Sequence, residues 1–365
     1  MPELSVLPRV AVIMAGGVGE RFWPMSRRRR PKQLLPLAEG RSLLELAHAR
    51  IAPVVSPENV FVATTESLAQ VIRTEAPYLQ PENVIAEPMG RNTAACLALA
   101  ASTIERRRGP CVMAVITADH LIGEPDLFAA TMHRGLDLAA PGERLVVFGI
   151  RPTCPETGFG YIELGPVCDE DPVLPCHTVA RFEEKPDLAT AQLYVESGHH
   201  LWNSGMFAWH TRALRAAFAQ HAPAYAEGMR AIDALDAAQP ASRPALARVF
   251  DALPNLSIDY AVMEKAQNAV ALPAAFPWRD AGGWEAVREL LPQDEGGNAC
   301  AGKTAAVETR GSTLHSTGPL IATLGVENLI VVATPDAVIV CPRDRAQDIK
   351  RVVSHLASHG LEEFL

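Results

Sequence analysis

The sequence predicts an α/β fold, with a Rossmann-like, mostly parallel sheet carrying helices on both faces and a small β-rich C-terminal domain after it. Three observations carry that expectation. Short apolar runs alternate with helix-spaced segments through the first half, the first run leads into a cluster of glycines, and beyond Pro292 the alternation gives way to short strand-like pieces. Such alternation implies right-handed βαβ crossovers, and hence parallel strands covered by helices.

Val10, Ala11, Val12, Ile13 and Met14 form an unbroken apolar run, as expected of a strand buried on both faces. Residues 42–51 have helical spacing behind a serine in the N-cap position, and 59–65 read as a strand. The pattern continues with a helix at 66–75, a short strand at 83–86, an alanine-rich helix at 92–108, a strand at 111–117, a helix at 126–140 and a strand at 144–150. From Gly158 it becomes mixed. Residues 161–164, 179–182 and 206–209 read as strands, with a helix at 188–197, and a helical region from 213 to about 238 is broken by Pro240 and Pro244. Short strands at 303–308, 312–316, 320–324, 329–333 and 337–341, then a helix at 345–355, fit a compact sheet or a short β-helix. The expected division is a catalytic domain over 1–291, with a nucleotide half at about 1–150 and an acceptor half at about 151–291, followed by a domain over 292–365.

A chain of 365 residues with 48% hydrophobic content can bury a large core. The net charge of −9 argues against a nucleic-acid partner, which would call for a basic domain. No apolar run reaches the roughly eighteen residues of a membrane span, and the N-terminus has neither a basic leader nor a small-residue cleavage site. A cytoplasmic chain without a membrane partner is the expectation. Cys96, Cys111, Cys154, Cys168, Cys176, Cys300 and Cys341 are scattered without C-x-x-C pairs, which fits buried thiols in a reducing compartment rather than disulfides or a zinc site.

Ala15, Gly16, Gly17 and Gly19 follow the first strand, where missing side chains let backbone N–H groups close in on an anion. Arg21, the arginine run at 27–30 and Lys32 come next, and a glycine turn with that much positive charge points to a nucleoside triphosphate. The dinucleotide fingerprint of a nicotinamide dehydrogenase needs a third glycine, but Arg21, Phe22, Trp23 and Pro24 stand there; the Walker A ending G-K-[ST] is absent too.

Glu87 ends a strand, and its two oxygens match the adjacent N1–H and amine donors of guanine; the alternative is that it caps the helix that follows. Asp119, after another strand, and Asp280, in a loop, offer the hard oxygen ligands that hold Mg²⁺ together with phosphates and water, although a loop aspartate is also an ordinary turn residue. Glu184 and Asn203 supply acceptors and donors for hydroxyls, Lys185 a cation for a phosphate, and Gly160 a place where backbone can meet a ring. Residues 257–265, with a serine N-cap and helical spacing, read as mainly structural.

In sequence order, G-G-x-G-x-R-x-W-P-x-S-R-x-x-x-P-K-Q at 16–33, E-P-M-G-R-N-T-A at 87–94, T-A-D-H at 117–120, E-K-P at 184–186, W-N-S-G-M-F at 202–207 and W-R-D-A-G-G-W at 278–284 resemble the motifs of the sugar-nucleotide pyrophosphorylases, in the spelling of their mannose-1-phosphate guanylyltransferase branch. The resemblance covers nearly the whole chain. It implies a nucleotidyltransferase fold of the GT-A kind and the reaction of GTP with mannose 1-phosphate to give GDP-mannose, a polysaccharide precursor, and diphosphate. By the same resemblance Mg²⁺ sits on Asp119 and Asp280, with Arg21 and Lys32 as the catalytic charges. Ala15, Gly16, Gly17, Gly19, Glu87, Gly90 and Asn92 contact the nucleotide, and Gly160, Glu184, Lys185 and Asn203 the sugar phosphate.

Thr117 stands where the family carries proline, and Gly283 where it carries serine. The isomerase domain of longer relatives would lie beyond Leu365, so a single activity is expected, and apolar strands in the C-terminal domain suit a homodimer. Two alternatives stand beside this reading: a guanylyltransferase for another sugar 1-phosphate, and a catalytically silent GDP-sugar-binding regulatory subunit. Retention of Arg21, Lys32, Asp119 and Asp280 speaks against the second.

Overall fold

The computed structural model describes residues 7–17, 19–28, 30–38, 40–235 and 239–365. Arg29 of the arginine run and positions 236–238 of the expected helical region lie outside the described residues. The chain forms two compact units, one made of Met1–Gly16, Ala47–Thr117 and Ile122–Trp278, the other of Gly17–Leu46, Ala118–Leu121 and Arg279–Leu365. Packing thus groups the chain differently from a single cut at 291/292.

The first unit is built on nine strands: β1 Arg9–Met14, β2 Val60–Thr65, β3 Val84–Glu87, β4 Val112–Thr117, β5 Leu145–Ile150, β6 Tyr161–Asp169, β7 Cys176–Glu183, β8 His200–His210 and β9 Ala269–Pro273. They lie in the order β3-β2-β1-β4-β8-β5-β9-β7-β6. Every pairing from β3 through β4 is parallel. Beyond β4 the sheet is mixed, with β8 antiparallel to both β4 and β5, and β7 antiparallel to β9 and β6. The change follows the connections, because β6 and β7 are joined too directly for a crossover helix and must run antiparallel.

Val10 to Ile13 are fully buried, as a strand covered on both faces should be. Leu145 and Val147 of β5 face an apolar cluster shared with helix Asn92–Arg108 and helices Thr211–His221, Pro223–Asp233 and Arg243–Ala252. Phe148 points the other way, against helix Pro125–Ala139; a Cβ on Gly135 would lie 2.4 Å from its ring, so only glycine lets the helix come that close. Helices therefore cover both faces. The expected helical region from 213 is two helices, since Pro223 lacks the N–H that would continue the first and opens the second.

In the second unit, β10 Ala299–Ala301, β12 Thr313–Ser316 and β14 Leu329–Ala333 form one parallel ladder, β11 Thr304–Val307 and β13 Ile321–Leu324 a second, and β15 Val338–Pro342 joins the first. Cys300, Leu314 and Val331 stack in register along β10, β12 and β14, and Ala305 pairs with Ala322 across β11 and β13. That is the rung pattern of a short β-helix, closed by β15 antiparallel to β14. The last helix is Ile349–Ser358, behind a 3-10 turn at Arg343–Asp348. Phe22, Trp23, Leu35 and Leu37 share a buried cluster with Ala281, Trp284, Ile330, Val332 and Ile349, which is why residues 17–46 belong to this unit. Among the described residues no helix is long and apolar enough to cross a membrane.

Candidate active site

In the first unit the parallel strands end at one edge, and the chemistry-bearing residues follow from those ends. Ala15 is pinned just past β1: its N–H donates to the Ala63 carbonyl at 2.8 Å, and its own carbonyl accepts from Thr64 Oγ1 at 2.8 Å. At Gly16 a Cβ would find no atom within 4 Å, so its backbone faces open space; the same is true of Gly90.

Glu87 ends β3 on that edge and is 5% exposed. Burial pushes its carboxyl up to about 7, against a hydrogen bond with the Cys96 thiol that acts to lower it. It does not cap the following helix, whose N-cap is Arg91 with no side-chain cap bond. Asn92 (φ 64°) turns its Oδ1 onto the Thr93 N–H at 2.9 Å. Cys96, which sequence reasoning left unassigned beyond a buried thiol, thus bears on the Glu87 carboxyl.

A second cluster gathers beside the end of β5, where Asn203 of β8 pairs with Gly149. The Asn203 N–H donates to the Gly160 carbonyl at 2.8 Å. A Cβ on Gly160 would lie 2.3 Å from Glu184 Oε2, so a side chain there would displace that carboxylate from its present place. The Glu184 side chain is 7% exposed, with Oε1 accepting from Lys185 Nζ at 2.8 Å and Oε2 buried without a hydrogen-bond partner. Burial acts to lower the Lys185 ammonium, but Glu184, Tyr260 and Asp259 outweigh it and raise it.

Two further carboxylates come from the segment read as structural. Asn203 Nδ2 donates to Asp259 Oδ1 at 2.8 Å, and the Glu184 N–H donates to Glu264 Oε1 at 3.0 Å. Burial and then the neighbouring Glu184 push the Asp259 carboxyl up to about 6, against the Asn203 bond.

The second unit carries the charged cluster. Gly19 has φ 73°, and a Cβ there would lie 2.6 Å from Lys32 Cβ, so glycine lets the Lys32 stem pass. Gly17 lies beside it, with its Cβ position 3.7 Å from Gln33 Nε2. Lys32 is 7% exposed and its Nζ donates to Asp119 Oδ2 at 2.5 Å. Burial would raise the Asp119 carboxyl, but the Lys32 ammonium, helped by His120, holds it down at about 2.

Asp119, His120 and Asp280 bring one ligand atom each within 4.8 Å of one another. Asp280 ends a short strand, Trp278–Asp280, rather than lying in a loop as the sequence suggested, and the Ala281 N–H just after it donates to the Asp119 carbonyl at 2.8 Å. Arg21 Nη1 donates to Gln347 Oε1 at 2.7 Å; a Cβ on Gly282 would lie 3.3 Å from that Nη1 and 3.0 Å from Asp280 Oδ2. Arg21 and Asp280 therefore share the space above Gly282.

Gly283 is extended (φ 177°), so the family's serine would fit there without strain. The arginine run stands apart: Arg27 pairs with Asp336 at 3.1 Å, and Arg28 and Arg30 are exposed. Arg21 and Lys32, not the run, supply the positive charge at this cluster. Two carboxylates, one held firmly ionised, fit a hard divalent cation, and the His120 nitrogen would widen the choice to transition metals.

Residues 10–296 match the nucleotidyl transferase family, and residues 302–356 match the MannoseP isomerase/GMP-like beta-helix domain. The chain belongs to the nucleotidyl transferase family. Its curated relatives include the xanthan biosynthesis protein XanB of Xanthomonas campestris pv. campestris (strain B100), 38% identical over 98% of this chain and 75% of the relative. Another is the mannose-1-phosphate guanylyltransferase of Escherichia coli (strain K12), 37% identical over 96% of this chain and 74% of that protein. This chain thus spans about three quarters of their length. A solved structure described as a mannose-1-phosphate geranyltransferase, from Thermus thermophilus, superposes with a TM-score of 0.85 at 35% identity, covering 96% of this chain and all of that one. Nucleotidyltransferases of this kind generally use a divalent metal ion, and the Asp119, His120 and Asp280 donors suit one.

Proposed function

We propose that this nucleotidyltransferase joins GTP to mannose 1-phosphate, forming GDP-mannose and releasing diphosphate. The observation that carries the reading is the buried Glu87 carboxylate at the end of β3, a two-oxygen acceptor for guanine's two donors, in a chain matched over nearly all its length by named guanylyltransferases. No covalent nucleophile is required. A phosphate oxygen of the sugar phosphate forms a bond to the α-phosphorus of GTP as the bond to diphosphate breaks, so the protein's task is alignment and charge neutralisation.

In this reading the backbone of Ala15, Gly16, Gly17 and Gly19 receives the phosphates, and Gly90 and Asn92 shape the loop around the base. Arg21 and Lys32 offset charge on the triphosphate and the departing diphosphate. The unpartnered Oε2 of Glu184 is an acceptor for a sugar hydroxyl, with Asn203 beside it and Gly160 leaving room for that carboxylate against the backbone that meets the sugar. Lys185 binds the sugar phosphate. Asp119 and Asp280 would hold Mg²⁺, which supplies further neutralisation along the phosphates when bound.

The test is diphosphate release by the purified protein with Mg²⁺ across four nucleoside triphosphates and several sugar 1-phosphates. GTP with mannose 1-phosphate should dominate. A different best sugar would refute the acceptor assignment alone, and silence with every pair would refute the enzyme reading. Glu87 adds a pH signature. Only its ionised form accepts both guanine donors, so kcat/KM for GTP should fall as the pH drops through about 7, the value burial imposes on the free protein. Glu87→Gln should erase that slope and much of the preference for GTP over ATP.

We also assign self-association to the β-rich segment, supported by Val338 and Val340, exposed on alternate positions of the terminal strand β15. Light scattering should give the mass of a dimer, and a monomer mass at micromolar concentration would remove this assignment.

A further inference from the structure

Asp259 and Glu264 lie five positions apart, a spacing that a regular α-helix would place about 140° apart around its axis. The segment is not a regular helix. Asp259–Met263 is π-helical, and the Glu264 N–H donates to the Asp259 carbonyl at 3.0 Å, the i→i+5 bond of a π-turn. One wider turn brings both residues to the same side.

Each then holds one member of the acceptor cluster, Asp259 through the Asn203 amide at 2.8 Å and Glu264 through the Glu184 N–H at 3.0 Å. Asn203 is fixed at both ends, because its Oδ1 also accepts from the Gly205 N–H at 3.0 Å. Glu184 is held through its backbone, which leaves Oε2 buried and without a partner beside the bare Gly160. A buried carboxylate oxygen without a donor is costly, and a hydroxyl from a bound ligand would relieve that cost.

We propose that Asp259 and Glu264 are positioning residues, set one π-turn apart so that Glu184 presents its unpartnered Oε2, and the fixed Asn203 amide its second N–H and second lone pair, to the hydroxyls of the acceptor sugar. The proposal rests on the guanylyltransferase reading above and extends it to a segment with no motif chemistry of its own. Neither residue needs to touch the reacting phosphates.

The experiment is steady-state kinetics with each substrate varied in turn. Asp259→Ala and Glu264→Ala should each raise KM for mannose 1-phosphate on the order of tenfold, the effect of one well-placed hydrogen bond, while KM for GTP stays unchanged and kcat moves little. Glu264→Gln keeps an acceptor for the Glu184 N–H, and Asp259→Asn keeps an oxygen for the Asn203 amide. Both should recover most of the lost affinity, as an acceptor role requires and a role resting on negative charge would not allow; Glu264→Met, which restores bulk without an acceptor, should stay as impaired as Glu264→Ala.

Unmoved sugar-phosphate KM in both alanine variants, or equal shifts for both substrates, would overturn the proposal. Should Asp259→Ala fail to fold, Glu264→Ala, at an exposed side chain, decides the matter. Wild-type protein assayed alongside separates the two failures. Silence of the wild type with every sugar phosphate defeats the guanylyltransferase reading and this proposal with it, whereas an active wild type with indifferent variants defeats the positioning role alone. If another sugar 1-phosphate proves to be the acceptor, the same KM comparison is read on that sugar.

Discussion

Replacing Asp119 with asparagine should cut turnover by about a hundred- to a thousandfold while the protein stays folded. The side chain keeps its shape and loses its charge, and charge is what the site needs from it. Lys32 holds the Asp119 carboxyl down at about 2 despite burial, so the wild-type group is ionised at every working pH. In the proposed divalent-cation site its partner is Asp280, and one carboxylate fewer should raise the metal concentration needed for half-maximal rate at least about tenfold.

There is a stability cost as well, because the variant leaves the buried Lys32 ammonium without its counter-charge, a loss of roughly 1–3 kcal/mol after allowance for the partial exposure of Asp119. The sign with pH follows from the lowered value. The ion pair's contribution is fully present above the ordinary carboxylate range and is lost as the pH falls through about 2, so wild type and variant should converge in stability only in strong acid. Turnover against stepped Mg²⁺, with thermal unfolding of both proteins, measures all of this. Wild-type turnover and metal dependence in the variant would remove Asp119 from the site.

The residues that proved legible in the sequence are those whose signal is local. Ala15 and Glu87 follow short apolar runs whose buried character is written in consecutive residues, and parallel pairing puts the ends of those runs on one edge. Asp119, after a strand, and Asp280, read as a loop residue although it ends a short strand, were separately visible as carboxylates, and the fold brings their ligand atoms together. Gly19 and Gly160 were visible as glycines, but the atoms they make way for, Lys32 Cβ and Glu184 Oε2, become known only in three dimensions.

What stayed hidden depends on non-local packing or on a broken period. Asp259 and Glu264 were missed because a 3.6-residue repeat assigns positions five apart to different sides, and the π-turn changes the repeat without any change of composition. The grouping of residues 17–46 with the β-helical segment rests on Phe22 against Trp284, with rings 5.9 Å apart, and on the Trp23 indole N–H donating at 2.8 Å to the Phe364 carbonyl, 341 positions away. No local pattern encodes such contacts. The arginine run shows how little a dense block of charge says by itself: Arg27 pairs with Asp336, and Arg28 and Arg30 face solvent, contacts and exposure that composition does not encode.

Lys32→Met should lower turnover about a hundredfold and, unlike Asp119→Asn, should not weaken the metal requirement. Methionine retains an unbranched stem of similar bulk, so the packing beside Gly19, where a Cβ would come within 2.6 Å of Lys32 Cβ, is preserved and only the ammonium is lost. In the protein without substrate that ammonium neutralises Asp119 at 2.5 Å. A single positive charge cannot fully balance both a carboxylate and a triphosphate, so its contribution to turnover must come from what it does once phosphates arrive, when an ammonium with three donors can contact Asp119 and a phosphate oxygen together. Removing it strips charge from the transition state, yet it also frees Asp119 from a competitor for cations, and half-maximal Mg²⁺ should stay level or fall. Metal titrations of the two variants therefore move in different directions if Lys32 acts on the phosphates. Equal weakening of the metal requirement in both would mean that Lys32 serves only to hold Asp119 in place.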